Sequence, residues 1–204
     1  MSRGVASMKV LGLSLAMVAS GCTASVNPEQ AKAIAEIEKL AGKVTIDDKG
    51  PDKTGILVNL NGTAVTDAGL EHLEGLTELK TLDLAFTAVT DTGVRHLKRL
   101  IQLQRLNLAF TTVTDKGLEQ LKRLTGLQRL DLTFTKVSNA GLLYLEGLTE
   151  LRSLNLSGTK VTDAGLGHLK GLTKLGTLDL GNTEVTDKGV EKLRQALPNC
   201  LLMY

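Results

Sequence analysis

The sequence predicts an α/β solenoid, a fold in which short repeated units stack into one curved body. Three observations predict it. A 24-residue repeat runs without a gap over residues 66–185, each unit contains a strand-like and a helix-like apolar pattern, and no unit can bury its leucines alone. We expect parallel strands on the concave face, short helices on the convex face and a helical N-terminal cap.

The first 21 residues have the composition of a secretory signal peptide. Arg3 and Lys9 precede an apolar run at residues 10–19, and the small residues ASG follow directly before Cys22. The run has about ten residues, against the roughly 20 that a membrane-spanning helix requires, which disfavours a permanent transmembrane anchor. We expect cleavage before Cys22, which leaves residues 22–27 as a tether.

Removal of this leader changes the net charge. The whole chain carries +2, and the loss of Arg3 and Lys9 leaves equal numbers of basic and acidic side chains. A neutral chain lacks the general electrostatic attraction that nucleic-acid binding requires, so no nucleic-acid partner is predicted.

Residues 28–65 are predicted to form the N-terminal cap and a degenerate first repeat. A helix should begin at Pro28 and stop at Gly42. Its apolar face would cover the open end of the leucine core, and it comprises Ala33, Ile34, Ile37, Leu40 and Ala41. A turn-rich segment at residues 47–55 then joins a possible strand at residues 44–46 to the first strand of the solenoid.

Each of the five units in residues 66–185 predicts one strand and one helix. In the first unit Leu82 and Leu84 alternate with polar residues, as in a strand with one buried face, whereas Leu70, Leu73 and Leu76 recur at the spacing of a short helix or 3₁₀ turn. A Thr-Asp or Ser-Asn pair opens every helix and should cap it.

The last half unit, residues 186–204, is expected to cap the other end, with Cys200 as a small buried residue.

Two further positions are constant in the repeat. A threonine follows each strand, and its hydroxyl should bridge to the neighbouring unit. These threonines are Thr63, Thr87, Thr111, Thr135, Thr159 and Thr183.

A glycine lies just inside each helix, where it costs roughly 1 kcal/mol relative to alanine, and we explain it by close approach of stacked backbones. These glycines are Gly69, Gly93, Gly117, Gly141, Gly165 and Gly189.

The pattern LxxLxLxxTxV followed by VTDxGLxxLxxL resembles the leucine-rich repeat, in the 24-residue form common in bacterial surface and exported proteins. The resemblance covers about residues 55–204. It implies a scaffold that binds a protein or peptide on its concave face.

The segment VASGC resembles a bacterial lipoprotein signal and implies a diacylglyceryl thioether on Cys22, and therefore a lipid anchor in the cell envelope. The alternative is an ordinary cleaved signal peptide with an incidental cysteine. Thr23 stands where an aspartate retains many lipoproteins at the inner membrane, so the resemblance favours the outer membrane.

No pattern in the chain indicates catalysis or a cofactor. No nucleophile, base and orienting group come together, and there is no glycine-rich phosphate loop. Three histidines share one helix position, but other units place different residues there, which predicts a solvated position and no zinc site. These histidines are His72, His96 and His168.

Acid and amide alternate at the middle concave position of the strands. The residues are Asn59, Asp83, Asn107, Asp131, Asn155 and Asp179. Because neighbouring strands lie about 4.8 Å apart, the alternation doubles the distance between carboxylates and weakens their repulsion. The alternative interpretation is a cation site, although calcium requires several oxygens that converge on one point.

Basic and aromatic residues concentrate in the same units. Residues 92–137 contain nine basic and three acidic side chains, a local net charge of +6, and their Arg105 and Arg129 should project from the concave face. All three phenylalanines, Phe86, Phe110 and Phe134, occupy one repeat position, where other units have glycine or asparagine. A buried position would then contain voids costing about 3–5 kcal/mol, so we predict an exposed rim; the alternative is a buried aromatic stack.

The sequence therefore predicts a non-catalytic binding protein without a cofactor. The predicted partner-binding residues are Phe86, Phe110, Phe134, Arg105, Arg129, Asp83, Asn107 and Asp131. One alternative is a structural envelope spacer with no specific ligand. Another is a substrate adaptor, because F-box leucine-rich repeat proteins also use TDxGL units, although residues 28–46 are too short for an F-box module. The identity of the partner and the oligomeric state are not predicted.

Overall fold

A computed structural model of the 204-residue chain describes residues 27–47 and 55–204. The predicted signal peptide, Cys22 and nearly all of the tether lie outside the described residues. Within the described ranges, no helix combines the length and the apolar character needed to cross a bilayer.

One eight-stranded sheet runs the length of the solenoid, with its strands in chain order. The strands are β1 (Lys43–Asp47), β2 (Gly55–Asn59), β3 (Leu79–Asp83), β4 (Arg105–Asn107), β5 (Arg129–Asp131), β6 (Ser153–Asn155), β7 (Thr177–Asp179) and β8 (Leu201–Met203). Strand β1 is antiparallel to β2, and every later pair is parallel. Equivalent residues of successive units face each other, so each concave position forms a row across the sheet.

Short helices form the opposite face. They are α1 (Pro28–Lys39), α2 (Asp91–Val94), α3 (Asp115–Leu121), α4 (Asn139–Leu142), α5 (Asp187–Ala196) and four 3₁₀ segments (Asp67–Gly75, Arg95–Arg99, Leu143–Leu145 and Leu166–Leu169). Helix α1 begins with a capping box between Asn27 and Gln30.

The core is a continuous stack of leucines between the sheet and the helices. Each unit contributes leucines from its strand and its helix, and nearly all of them are fully buried. Ile34 and Ile37 of α1 extend this core at the N-terminal end, as the sequence predicts.

The caps differ from prediction at two residues. Ala41, placed on the apolar face of α1, is exposed because the helix ends at Lys39 and the chain turns at Ala41 with a positive φ of 60°. Cys200 is half-buried rather than buried, since it lies in the turn between α5 and β8. Burial raises the pKa of its thiol, which keeps the thiol protonated at neutral pH.

The threonines after the strands do not bridge units, contrary to prediction. The Thr87 hydroxyl donates to the Leu84 carbonyl oxygen of its own unit at 2.7 Å, and the equivalent threonines repeat this bond. Each threonine therefore closes its own turn, where the carbonyl has no strand partner.

Acidic residues at the helix starts link the units instead. One carboxylate oxygen of Asp91 accepts a hydrogen bond from the Thr114 backbone N–H at 2.7 Å, and the other accepts one from the Thr114 hydroxyl at 2.6 Å. The same pair of bonds recurs from Asp67, Asp115 and Asp163 to the next unit. Two hydrogen bonds from Thr186, the stronger influence from its backbone N–H and the weaker from its hydroxyl, hold the pKa of Asp163 below its ordinary value.

We call Asp67, Asp91, Asp115 and Asp163, which each bond to the next unit, the aspartate ladder. This ladder also explains the constant glycines. A Cβ at Gly117 would lie 2.7 Å from the Asp91 carboxylate oxygen, and equivalent clashes arise at Gly93, Gly141 and Gly189. Close approach between units is thus confirmed, but the approaching group is mainly a side-chain carboxylate.

Candidate partner-binding surface

The three phenylalanines occupy left-handed backbone positions. Phe86, Phe110 and Phe134 have φ values of 56°, 55° and 50°. The equivalent residues of other units have the same geometry, with φ of 67° at Gly62, 68° at Gly158 and 54° at Asn182. Glycine and asparagine adopt this conformation readily, whereas a bulky residue there is strained by about 1–3 kcal/mol. The phenylalanines are therefore not the residues that this turn favours.

Hydrogen bonds on both sides hold the turn in this shape. The Asp83 carboxylate accepts a hydrogen bond from the Ala85 N–H at 3.0 Å, which forms an Asx turn at the end of β3. The Phe86 N–H then donates to the Ala109 carbonyl oxygen of the next unit at 3.0 Å. The same bonds recur in the units of Phe110 and Phe134, so the backbone geometry follows from the repeat and not from the aromatic side chain.

The three rings form an aromatic ladder on the rim of the concave face. The centroids of Phe86 and Phe110 are 4.3 Å apart with ring planes 11° apart, and those of Phe110 and Phe134 are 5.1 Å and 27° apart. The exposed fractions are 57% for Phe86, 44% for Phe110 and 50% for Phe134. The rings are therefore exposed, as predicted, and the alternative of a buried stack is wrong.

The two ends of the aromatic ladder differ. At one end the Phe134 ring covers Gly158, since a Cβ on that glycine would lie 2.5 Å from the nearest ring atom. At the other end, no described residue except the chain neighbours of Gly62 places an atom within 4 Å of the corresponding position on that glycine. Each ring thus leans towards the next unit. Because glycine has no side chain, Gly62 does not cover the face of Phe86 that points towards it.

Arg105 and Arg129 lie next to each other on the concave face. They are register partners in β4 and β5, and both side chains are exposed. Among the described residues, neither guanidinium forms an ion pair. We call these two residues the arginine pair; with the strand residues around them they line a shallow hollow of about 280 Å³.

The alternating Asp and Asn row has a structural role that the sequence interpretation missed. Each of these side chains uses one oxygen to cap the N–H two residues further on, as Asn107 does for Ala109 at 3.0 Å and Asp131 for Thr133 at 2.9 Å. Asp and Asn are equivalent as acceptors in this turn, which is why both occur. In the described part of the chain, no cluster of three or more potential ligands could hold a metal ion.

The predicted solvated histidine position is in fact half-buried. His96 contacts Glu74 of the preceding unit at 2.7 Å, and His168 contacts Glu146 at 2.6 Å. These side-chain pairs join neighbouring units on the convex side, away from the aromatic ladder and the arginine pair.

The sequence contained a signal for the left-handed turn that composition alone does not reveal. Gly62, Gly158 and Asn182 are the residue types that tolerate positive φ, and they share the phenylalanine position. In the sequence alone, their presence indicates that the position tolerates variation, as an exposed rim does. The physical reason is the backbone conformation, and exposure of the ring is its consequence.

Comparisons with known proteins identify the repeat. The family model described as Leucine Rich repeat matches residues 76–98, 102–122, 148–169 and 171–193. An internalin (inlF) from Listeria monocytogenes is 25% identical with a TM-score of 0.61, and the match covers 71% of this chain and 39% of that protein. Internalin C2 (inlC2) from the same bacterium is 26% identical with a TM-score of 0.58, over 72% and 69% of the two chains. No curated protein sequence matches the chain.

These similarities and the parallel sheet with short helices confirm the predicted leucine-rich repeat fold. The structural neighbours are bacterial, and this chain spans about two fifths of the length of the first. Folds of this type typically serve as non-enzymatic scaffolds that bind protein partners.

Proposed function

We propose that this leucine-rich repeat protein is a non-catalytic binding protein of the bacterial envelope that holds a protein or peptide on its concave face. The observation that carries the proposal is the aromatic ladder. Three large apolar side chains are half-exposed in a backbone conformation that disfavours them, and strained residues of this type are concentrated at functional sites.

The arginine pair supports the same surface. Like charges on adjacent strands destabilise a sheet, and neither guanidinium forms an ion pair with a described acidic side chain. Asp83, Asn107 and Asp131 line the same hollow and complete the proposed surface, and one side-chain oxygen of each accepts a hydrogen bond from the turn.

The stacking of the rings offsets part of the backbone strain at the three phenylalanines. Each stacked aromatic pair contributes about 0.5–1.5 kcal/mol, and the two pairs together offset part of the strain at three residues. The exposed ring faces and edges then gain the burial energy that they lack when a partner covers them, because burial of apolar surface is worth about 25 cal/mol per Å².

The test removes the rings without disturbing the turn. A variant with Phe86→Asn, Phe110→Asn and Phe134→Asn retains the backbone geometry, because Asn182 adopts φ of 54° in the equivalent position. Wild type and variant, each carrying a photocrosslinker at the exposed Thr112, are incubated with envelope extract of the host, and captured proteins are identified by mass spectrometry. We expect a reproducible partner for the wild type and its loss in the variant.

A spacer without a specific ligand would give a different result. Neither protein would then capture a reproducible partner, or both would capture the same set. The thermal midpoint of the variant, which we expect within a few degrees of wild type, serves as the control for folding.

The proposed location is the outer membrane, to which a lipid on Cys22 would anchor the protein after removal of residues 1–21. It is supported by the leader composition and the residues around Cys22 in the sequence. Mass spectrometry of the protein purified from its host should show an N-terminal cysteine carrying the mass of a diacylglyceryl group. A Cys22→Ala variant should appear in the soluble fraction, and a mature protein that begins elsewhere without lipid would contradict the anchor.

A further inference from the structure

We propose that the partner is an acidic peptide segment with an aromatic side chain, whose carboxylates bridge Arg105 and Arg129 and whose ring stacks on Phe86 above Gly62. This inference rests on the proposed function, and it specifies the chemistry of the ligand at the same surface.

The arginine pair specifies the charge of the partner. Adjacent strands lie about 4.8 Å apart, so a single carboxylate, or two from neighbouring residues, can reach both guanidinium groups. Guanidinium binds carboxylate through paired hydrogen bonds, and removal of the mutual repulsion of the arginines adds to the attraction. The other basic side chains of residues 92–137 lie mainly in or beside the convex helices, so the preference of the concave face for acidic groups rests on the arginine pair itself.

The open end of the aromatic ladder specifies the ring. Phe86 covers one face of Phe110, and Phe134 covers Gly158, but Gly62 places no side chain on Phe86. Phe86 is also the most exposed of the three rings, at 57%. A planar side chain from a partner can therefore continue the stack by one step, at a position where the solenoid leaves room for it.

The distance between these two subsites limits the spacing in the peptide. Arg105 and Arg129 lie two and three strands from the unit of Gly62, or about 10–14 Å across the sheet. Five residues separate Arg105 from Phe110, and they span at most about 17 Å because a turn follows the strand. The direct distance is therefore at most about 22 Å, which an extended peptide covers with no more than about seven residues.

A substitution at Gly62 can supply a ring that competes with the aromatic side chain of the peptide. Gly62→Phe introduces a Cβ that meets no described atom within 4 Å apart from those of its chain neighbours, at φ of 67°, close to the 56° that Phe86 already adopts. Because the other rings lean towards the next unit, the introduced ring should cover the open face of Phe86. Gly62→Asn is the matched control, since Asn182 occupies the same position in another unit.

The experiment selects displayed random peptides of 12 residues against the full chain. We expect sequences with at least two acidic residues and an aromatic residue no more than about seven positions away. The best peptide, made synthetically with a fluorophore, should bind at least tenfold more weakly to Arg105→Gln/Arg129→Gln and to Gly62→Phe. Its affinity for Gly62→Asn should stay within twofold of wild type, and its binding should weaken as salt concentration rises.

Other outcomes overturn the inference. Selected peptides without acidic residues, no enrichment of any sequence, or unchanged affinity for the arginine or Gly62→Phe variant each contradict it. Circular dichroism of every variant excludes unfolding as the cause of lost affinity.

Failure here can be told apart from failure of the proposed function. If neutral peptides are selected and lose binding to the triple Phe→Asn variant, the aromatic ladder binds a partner but the acidic chemistry is wrong. If the triple variant binds its selected peptides and envelope partners normally, the proposed function itself is wrong.

Discussion

The units that carry phenylalanine and the units that carry glycine or asparagine have the same backbone. Phe110 and Gly158 both follow a three-residue strand, both have positive φ, and the N–H of each donates to a carbonyl of the next unit at 2.8 and 2.9 Å. Their side chains differ as much as two residues can. The comparison shows that the repeat fixes the position of this residue in space and leaves its chemistry open.

The leucine core should be equally important in both kinds of unit, and its disruption has the largest expected effect. Leu106→Ala in a phenylalanine unit and Leu154→Ala in a glycine unit each remove a side chain that is at most 2% exposed. Each should lower the free energy of unfolding by about 2–5 kcal/mol, measured by urea denaturation, because both leave a cavity in close-packed leucines. A much smaller loss for Leu106→Ala would mean that the aromatic ladder, and not the core, stabilises its unit.

The aspartate ladder gives an intermediate effect and a natural control. Asp115→Ala removes the hydrogen bonds from the Ser138 N–H and hydroxyl, and should cost about 2 kcal/mol in unfolding free energy. Asp115→Asn should cost less than about 1 kcal/mol, because Asn139 accepts from the Thr162 N–H and donates to its hydroxyl, both at 2.9 Å. Equal losses for the two variants would show that the negative charge, rather than the hydrogen-bond geometry, joins the units.

The same ladder predicts how acid affects stability. The pKa of Asp163 is below its ordinary value of 3.8, so its contribution is fully present above that value and is lost as the pH falls through the lowered pKa. An Asp163→Asn variant should therefore lose less stability than wild type between pH 4 and pH 2, measured by the thermal midpoint. A parallel loss in both proteins would place the acid sensitivity elsewhere.

The smallest effect is expected for the side chain that the repeat does not need. Phe110→Asn gives up two stacking contacts, worth about 0.5–1.5 kcal/mol each, but relieves about 1–3 kcal/mol of backbone strain. The unfolding free energy should change by less than about 1 kcal/mol by urea denaturation. Phe110→Ala is the control: it loses the stacking without a side chain suited to positive φ, and should be less stable than Phe110→Asn.

The sequence predicts the fold well because leucine spacing determines which side chains are buried. Leu70, Leu73 and Leu76 are all fully buried, as their spacing indicates, and the rim position of the phenylalanines also agrees. The sequence could not show that Asp91 bonds to Thr114 of the next unit, since that depends on the offset between stacked helices. The predicted threonine bridges were wrong because the turn after the strand brings the Thr87 hydroxyl within 2.7 Å of the Leu84 carbonyl oxygen of its own unit.

The open and covered ends of the aromatic ladder could not be distinguished from the sequence either. Gly62 and Gly158 are identical in type and backbone angle, and only the direction in which the rings lean separates them. Side-chain rotamers of this kind depend on the space left by the neighbouring unit, which a one-dimensional pattern does not contain.

The aspartate ladder also bears on how such a chain can change in evolution. Every link joins an Asp or Asn side chain at one helix start to a Thr or Ser at the next, so duplication or loss of a whole 24-residue unit recreates an equivalent junction at the point of change. The number of phenylalanine units can then vary by gene duplication without a new folding problem. The length of the aromatic surface would grow in steps of one strand spacing, about 4.8 Å, and lineages could fit it to partners of different size.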